Sequence, residues 1–269
     1  MRIGAVLVLG CLLAAPLQAQ ELPTGDAPQP PDLGRFLPKG GFEEDGRRTL
    51  GAFPKNLGRS FVGVFSKDSL APFLIGAAAA TTTSFMDGSA QRFATGQNNT
   101  FGKIGSQAGG FPVMASMTVG LFAAGRFTAP GPFRAATYDM AQAVIVGSVY
   151  TTIAKHAVGR TRPDGSNTLS FPSGHTSNAF AMATVAEYHF GPKVGIPAYL
   201  AASFIGASRI QSNKHYLSDV VAGAALGYIV GKTVVRENGE PAKGQTHVSL
   251  VPSTDARGSG VGAGVNITW

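Results

Sequence analysis

The chain has 269 residues, of which only 14% are charged, and a formal net charge of +7. Soluble domains are about 25% charged, so the low charge and the 36 glycines favour helices that approach closely, in a membrane or in a tight bundle. The basic residues are scattered and lack an aromatic-interleaved stripe, which argues against nucleic acid and leaves an anionic membrane surface or an anionic substrate as the partner.

Residues 1–19 read as a signal peptide. Arg2 precedes an apolar run from Ile3 to Leu17, and Leu17-Gln18-Ala19-Gln20 offers a cleavage site after Ala19. The one cysteine, Cys11, falls in this leader. Val8-Leu9-Gly10-Cys11 is a poor lipoprotein box, because the apolar run continues past Cys11. A mature chain without cysteine holds itself together by packing alone, and nothing opposes export. Residues 20–60 carry Pro28-Gln29-Pro30-Pro31 and Gly40-Gly41 and predict an extended lead-in.

Residues 61–236 predict a helical domain. Apolar runs at Ser69–Met86, Ile104–Gly125, Met140–Ala154, Thr176–Ala186, Val194–Ser208 and Val220–Gly231 lack period-two alternation and read as helices. Pro112, Pro132, Pro192 and Pro197 fall at expected helix starts or joints. Asp87–Lys103 reads as a polar loop with at most one short helix. Most runs are shorter than the roughly 20 residues of a membrane span. Asp139, Gln142, Glu187 and His189 lie in or beside them, so a soluble or peripheral bundle is favoured over integral insertion. Residues 237–269 predict a flexible linker and a β-prone tail, with strand-like pieces at Val248–Val251 and Val261–Trp269. The expected fold is therefore all-α: about six helices with a site at helix ends, plus the short tail.

Three stretches carry chemistry. At Lys155–Pro163 the residues Lys155, His156, Arg160 and Arg162 crowd a helix end, an arrangement that favourable interaction with the helix dipole also explains. In the second, Phe171-Pro172-Ser173-Gly174-His175-Thr176, Ser173 is a candidate N-cap. Gly174 lets a ligand approach the backbone, and a helix start of this kind binds anions. In the third, Ser208–Asp219, Arg209 supplies a fork suited to tetrahedral oxyanions. If His215 opens a helix, Asp219 shares its face and can fix its tautomer, leaving the other nitrogen as nucleophile or base. An ordinary structural reading competes for each stretch alone. Their conjunction, which gathers Lys155, Arg162, Arg209, two histidines and a carboxylate with an anion-binding helix start, is more than a helical core built for stability alone requires.

These residues resemble the type 2 phosphatidic acid phosphatase and vanadium haloperoxidase superfamily. Lys155 is followed by six residues and Arg162-Pro163, then by Pro172-Ser173-Gly174-His175. Ser208-Arg209 is followed by five residues, His215, three residues and Asp219. Every position of that three-part signature matches, over about residues 136–235. The resemblance implies a metal-independent hydrolase with no cofactor, acting on a phosphate monoester or pyrophosphate through a phosphohistidine. It implies His215 as nucleophile, Asp219 as its orienting and charge-stabilising partner, and His175 as general acid. It also implies a phosphate cradle of Lys155, Arg162, Ser173, Gly174 and Arg209. The expected substrate is a phosphorylated lipid at a membrane surface outside the cytoplasm. A soluble periplasmic acid phosphatase acting on small esters is the near alternative. A vanadium haloperoxidase and a non-catalytic phosphate-binding membrane protein are more distant ones.

Overall fold

The computed structural model describes residues 47–95, 100–128 and 131–239, and the backbone alone of 247–254 and 261–268. All of these belong to the unit Phe42–Trp269. The expected signal peptide and most of the lead-in lie outside the described residues.

The described residues form nine helices: α1 (Phe53–Gly63), α2 (Lys67–Ser84), α3 (Asp87–Thr95), α4 (Thr100–Ala108), α5 (Phe111–Phe127), α6 (Pro132–Val158), α7 (Gly174–Phe190), α8 (Pro192–Gln211) and α9 (Leu217–Glu237). The all-α class stands, and the count of about six is corrected. Helix α1 starts at Phe53, inside the stretch read as lead-in, where Pro54 suits the first turn. The polar stretch after Met86 is two helices rather than a loop, because α3 and α4 pack against α8 and need only a narrow apolar face. The run Ile104–Gly125 is broken at Gly109-Gly110 into α4 and α5. Pro112, Pro132 and Pro192 do sit at helix starts. Pro197 instead lies inside α8, which continues past it.

Packing around α9 explains the glycines. A Cβ on Gly223 would stand 2.5 Å from the Ser173 carbonyl oxygen, one on Gly227 2.3 Å from that of Ser177, and one on Gly231 2.7 Å from that of Ala181. Glycine every fourth residue makes a smooth stripe on one helix face, and α9 lies against the α7 backbone along it. Beside this seam the core is filled by Ala143, Val146, Ala181, Val185, Val230, Val234 and Val235, all fully buried. At the far end of α6, Asp139 is held by Arg48, His189 and Asn238. That network satisfies a buried carboxylate and ties residue 48 to the bundle.

Among the described residues, α9 is the one helix long and apolar enough to cross a membrane, and three spans result if α1 with α2 and α4 with α5 each count as one bent span. The 21 residues of α9 exceed the run Val220–Gly231 read from sequence, because the helix continues through Lys232 and Arg236. Beyond α9, His247–Thr254 and Val261–Thr268 pair antiparallel, Leu250 opposite Val265.

Candidate active site

Helix α6 delivers Lys155 one turn before its end, where Gly159 turns left-handed at φ 59° and its N–H bonds to the Lys155 carbonyl. The following loop doubles back on itself. The Arg162 N–H donates to the Asn167 carbonyl at 2.9 Å, and the Ser170 N–H to that of Arg160 at 2.9 Å. The Lys155 ammonium donates to the Leu169 carbonyl at 2.6 Å. The first basic stretch is thus fastened to the start of the second.

Ser173 occupies the N-cap of α7, but its hydroxyl does not cap the helix. It accepts from Thr176 Oγ1 at 2.9 Å instead, while its N–H donates to the Asp219 carbonyl at 2.9 Å. Gly174 and His175 open the helix, so their N–H groups have no partner within it and the positive end of the helix dipole lies there. A Cβ on Gly174 would meet Thr151 Cγ2 at 3.3 Å and Lys155 Cε at 3.9 Å. The absent side chain therefore brings α7 and Lys155 together.

The turn between α8 and α9 carries His215. The N–H groups of Lys214 and His215 fold back onto the Arg209 carbonyl at 3.1 and 3.2 Å. Arg209 is buried, and its Nη1 donates to Ser106 Oγ on α4 at 2.5 Å. His215 is only 1% exposed. It precedes α9 rather than opening it, because the helix starts at Leu217. Its Nδ1 lies 3.7 Å from Asp219 Oδ2, too far for the hydrogen bond expected from sequence. The Asp219 carboxylate is taken up elsewhere: Oδ2 accepts from Ser170 Oγ at 2.5 Å and from the Tyr216 N–H at 2.8 Å, and Oδ1 from Arg160 at 2.7 Å.

Electrostatics shows the convergence. Burial pushes the His175 imidazole down to about 3, and the charges of Arg209, His215, Arg162 and Lys155 push the same way. Groups from all three stretches thus act on one ring. His215 is held down to about 4 by burial, against the opposing pull of Asp219 and with the help of Lys155 and Arg209. Both imidazoles are neutral at pH 7. The Nε–H groups of Arg162 and Arg209 are buried with no partner among the described residues. Unmatched buried donors on two fixed cations are what a tetrahedral anion would satisfy. A neutral imidazole beside them can attack or abstract.

The predicted site residues are therefore brought together, and several contacts escaped sequence reading. Arg160, read as one cation among several at a helix end, is an ion-pair partner of both Asp219 and Asp87. Ser170 and Ser106 hold Asp219 and Arg209. Lys214 pairs with Asp164 across the two loops. Asp87 is the first acid after a long uncharged run, which is the one trace it leaves in the sequence. On the Arg160 side a cleft of about 450 Å³ opens between α2 and α9, lined by Phe73, Gly76, Ala80, Ala222 and Leu226 and ending on Arg160 and Ser218.

The chain is similar to known phosphatases over part of its length. A lipid A 1-phosphatase of Porphyromonas gingivalis is 48% identical over 81 residues, covering 29% of this chain and 18% of that protein. The lipid A 1-phosphatase of Rhizobium etli is 29% identical over 99 residues, covering 31% of this chain and 42% of that protein. The matches thus span less than half the length of these relatives. A transmembrane PAP2-type phosphatidylglycerolphosphate phosphatase from Bacillus subtilis shares the fold, with a TM-score of 0.53 and 21% identity over 61% of this chain and 92% of that one. Residues 136–239, which hold Lys155, Arg162, His175, Arg209, His215 and Asp219, match the PAP2 superfamily, and this segment of the chain is of that superfamily.

Proposed function

We propose that the chain hydrolyses the phosphate monoester of a membrane lipid, of the kind that lipid A 1-phosphatases act on, through a phosphohistidine at His215. One observation carries the reading: three cations and two neutral imidazoles from separate stretches act on a single point, with buried N–H groups left unmatched there.

The steps follow from charge. Lys155, Arg162 and Arg209, with the N–H groups at Gly174 and His175, bind the nonbridging phosphate oxygens, whose charge must be held in the transition state. His215 attacks phosphorus through Nε2, and its Nδ1–H stays on the Asp219 side. Binding of the anion favours the charged imidazole, so His175 takes up a proton from solvent as the substrate enters, and the phosphorus–oxygen ester bond breaks as His175 gives that proton to the leaving oxygen. His175, now neutral, takes a proton from water, whose oxygen attacks the phosphohistidine. Phosphate leaves and the His215 imidazole is regenerated. Three fixed cations do here what a metal would otherwise do, so the reading requires none.

The lipid assignment is supported by the cleft that ends on Arg160 and by apolar side chains open to the surroundings. Phe73 is 61%, Ile75 71% and Phe127 91% exposed, and large apolar side chains left open in this way suit contact with lipid. The lipid A relatives point the same way. The leader supports export, with the site on the non-cytoplasmic side. The test is release of phosphate by the purified chain in mixed micelles, with chelator present. The panel is lipid A, phosphatidylglycerophosphate, phosphatidic acid and a small chromogenic ester. Preference for a lipid is expected. Equal turnover of the small ester in the absence of micelles would favour a general acid phosphatase instead.

A further inference from the structure

Helix α3 lies outside the segment that matches the superfamily, yet it grips the His215 turn at both ends. Asp87 and Gln91 stand four residues apart, on one face of the helix. Gln91 Nε2 donates to Asn213 Oδ1 at 2.6 Å and to the Ile210 carbonyl at 2.9 Å. Asn213 sits at φ 57°, a left-handed conformation that a side-chain tie helps to hold. Asp87, only 6% exposed, takes the other end. Its Oδ1 accepts from the Ser218 N–H at 2.9 Å, and its Oδ2 from Ser218 Oγ at 2.6 Å and Arg160 Nη2 at 2.7 Å.

Arg160 continues the chain of charges. Its Nη1 donates to Asp219 Oδ1 and to Ser218 Oγ, both at 2.7 Å, and its guanidinium lies 4.1 Å over the Tyr216 ring. The sequence of contacts is Asp87, Arg160, Asp219, then His215. Charge arithmetic gives the arrangement a purpose. An Arg160–Asp219 pair alone is neutral and would present no net charge to His215. The addition of Asp87 leaves one net negative charge on the group. That charge is what His215 needs when phosphoryl transfer makes its ring cationic.

We propose that Asp87 is a positioning residue for the reaction. Acting through Arg160, it preserves the negative charge of Asp219 against which His215 is phosphorylated, while Gln91 fixes the turn that carries His215. This rests on the assignment of His215 as nucleophile. The competing role is simple capping of α9, and Asp87→Asn separates the two, because the amide oxygen still accepts from the Ser218 N–H while the charge is lost.

The experiment is steady-state kinetics and rapid-quench phosphoenzyme formation with a labelled lipid phosphate. It compares wild type, Asp87→Asn, Arg160→Gln, the double variant and His215→Ala, each checked for its thermal transition. Asp87→Asn is expected to lower kcat and the phosphorylation rate by about 10- to 100-fold, the size of coupling within one ion-pair network. KM and the inhibition constant of inorganic phosphate should stay within about twofold. The double variant should be no slower than Arg160→Gln. Asp87→Asn with kcat within about twofold of wild type would overturn the proposal, and so would an equal loss of phosphate affinity. If Arg160→Gln does not fold, the kcat-against-KM split of Asp87→Asn decides alone. Turnover by His215→Ala would overturn the nucleophile assignment and this inference with it. An inactive His215→Ala beside an unimpaired Asp87→Asn would remove this inference only.

Discussion

His215 Nδ1 and Asp219 Oδ2 face each other at 3.7 Å without a hydrogen bond. The carboxylate is held in place by Ser170, Tyr216 and Arg160, so it acts on the imidazole by charge rather than by a fixed bond. Such a partner does little for a neutral ring and much for a cationic one. Its effect is therefore concentrated in the step that puts phosphorus on His215.

Asp219→Asn keeps the shape and removes the charge. It is expected to lower kcat by about 100-fold, as loss of one preorganised electrostatic group does, with little change in KM. Steady-state kinetics on a lipid phosphate checks this. A rise in KM at unchanged kcat would assign Asp219 to substrate binding instead.

Both histidines are neutral in the free site, His175 with a value of about 3 and His215 of about 4. An anion among the cations favours the charged imidazole, so binding must raise the His175 value and take up a proton. Calorimetric titration with vanadate at pH 6, in two buffers of different ionisation enthalpy, is expected to show net proton uptake, and His175→Gln should abolish it. Binding without uptake would remove His175 as the proton donor.

The same depressed values make stability depend on pH. In the unfolded chain these rings titrate near 6.5. Between that value and about 4 for His215, or about 3 for His175, the unfolded chain binds more protons than the folded one. The stability they allow is complete above pH 6.5 and is lost as pH falls through this window. Thermal transitions from pH 7 to pH 4.5 should fall, and fall less in His175→Gln. An equal fall in both would assign the acid sensitivity to other groups.

Two glycine substitutions separate packing from catalysis. Gly227→Ala drives a methyl into the Ser177 carbonyl, 2.3 Å away, and is expected to cost about 1–3 kcal/mol of stability. Gly109→Ala places a methyl 2.4 Å from Ile205 Cγ2 and 3.2 Å from His175 Cδ2. Ile205 can give way, so the chain should fold and kcat should drop by about 10-fold or more through a displaced acid. Thermal transitions and kinetics of the two variants check the contrast.

How much of this was readable beforehand follows from what each feature leaves in the sequence. Lys155, Arg162, His175, Arg209, His215 and Asp219 stand at fixed spacings between apolar runs, so they and the helical class were legible. Asp87 and Gln91 were not, because they act on the His215 turn from more than a hundred positions upstream and α3 is the least apolar of the helices. Arg160 was hidden by its neighbours: in a run of cations nothing local tells which one finds two carboxylates. The expected His215–Asp219 hydrogen bond assumed both residues in one helix. The turn at Asn213 instead leaves His215 ahead of α9, and the carboxylate turns to Ser170 and Arg160. The length of α9 was underestimated because apolar runs end at lysine and arginine while helices need not.

The most direct test is chemical trapping. The wild-type chain is mixed with a lipid phosphate labelled in the phosphoryl group, quenched in alkali within the first turnover, and digested. The account predicts label on the peptide containing His215, stable to base and lost in acid, and none in a folded His215→Ala variant that also releases no phosphate. Label on another residue, or phosphate release by His215→Ala at the wild-type rate, would contradict it.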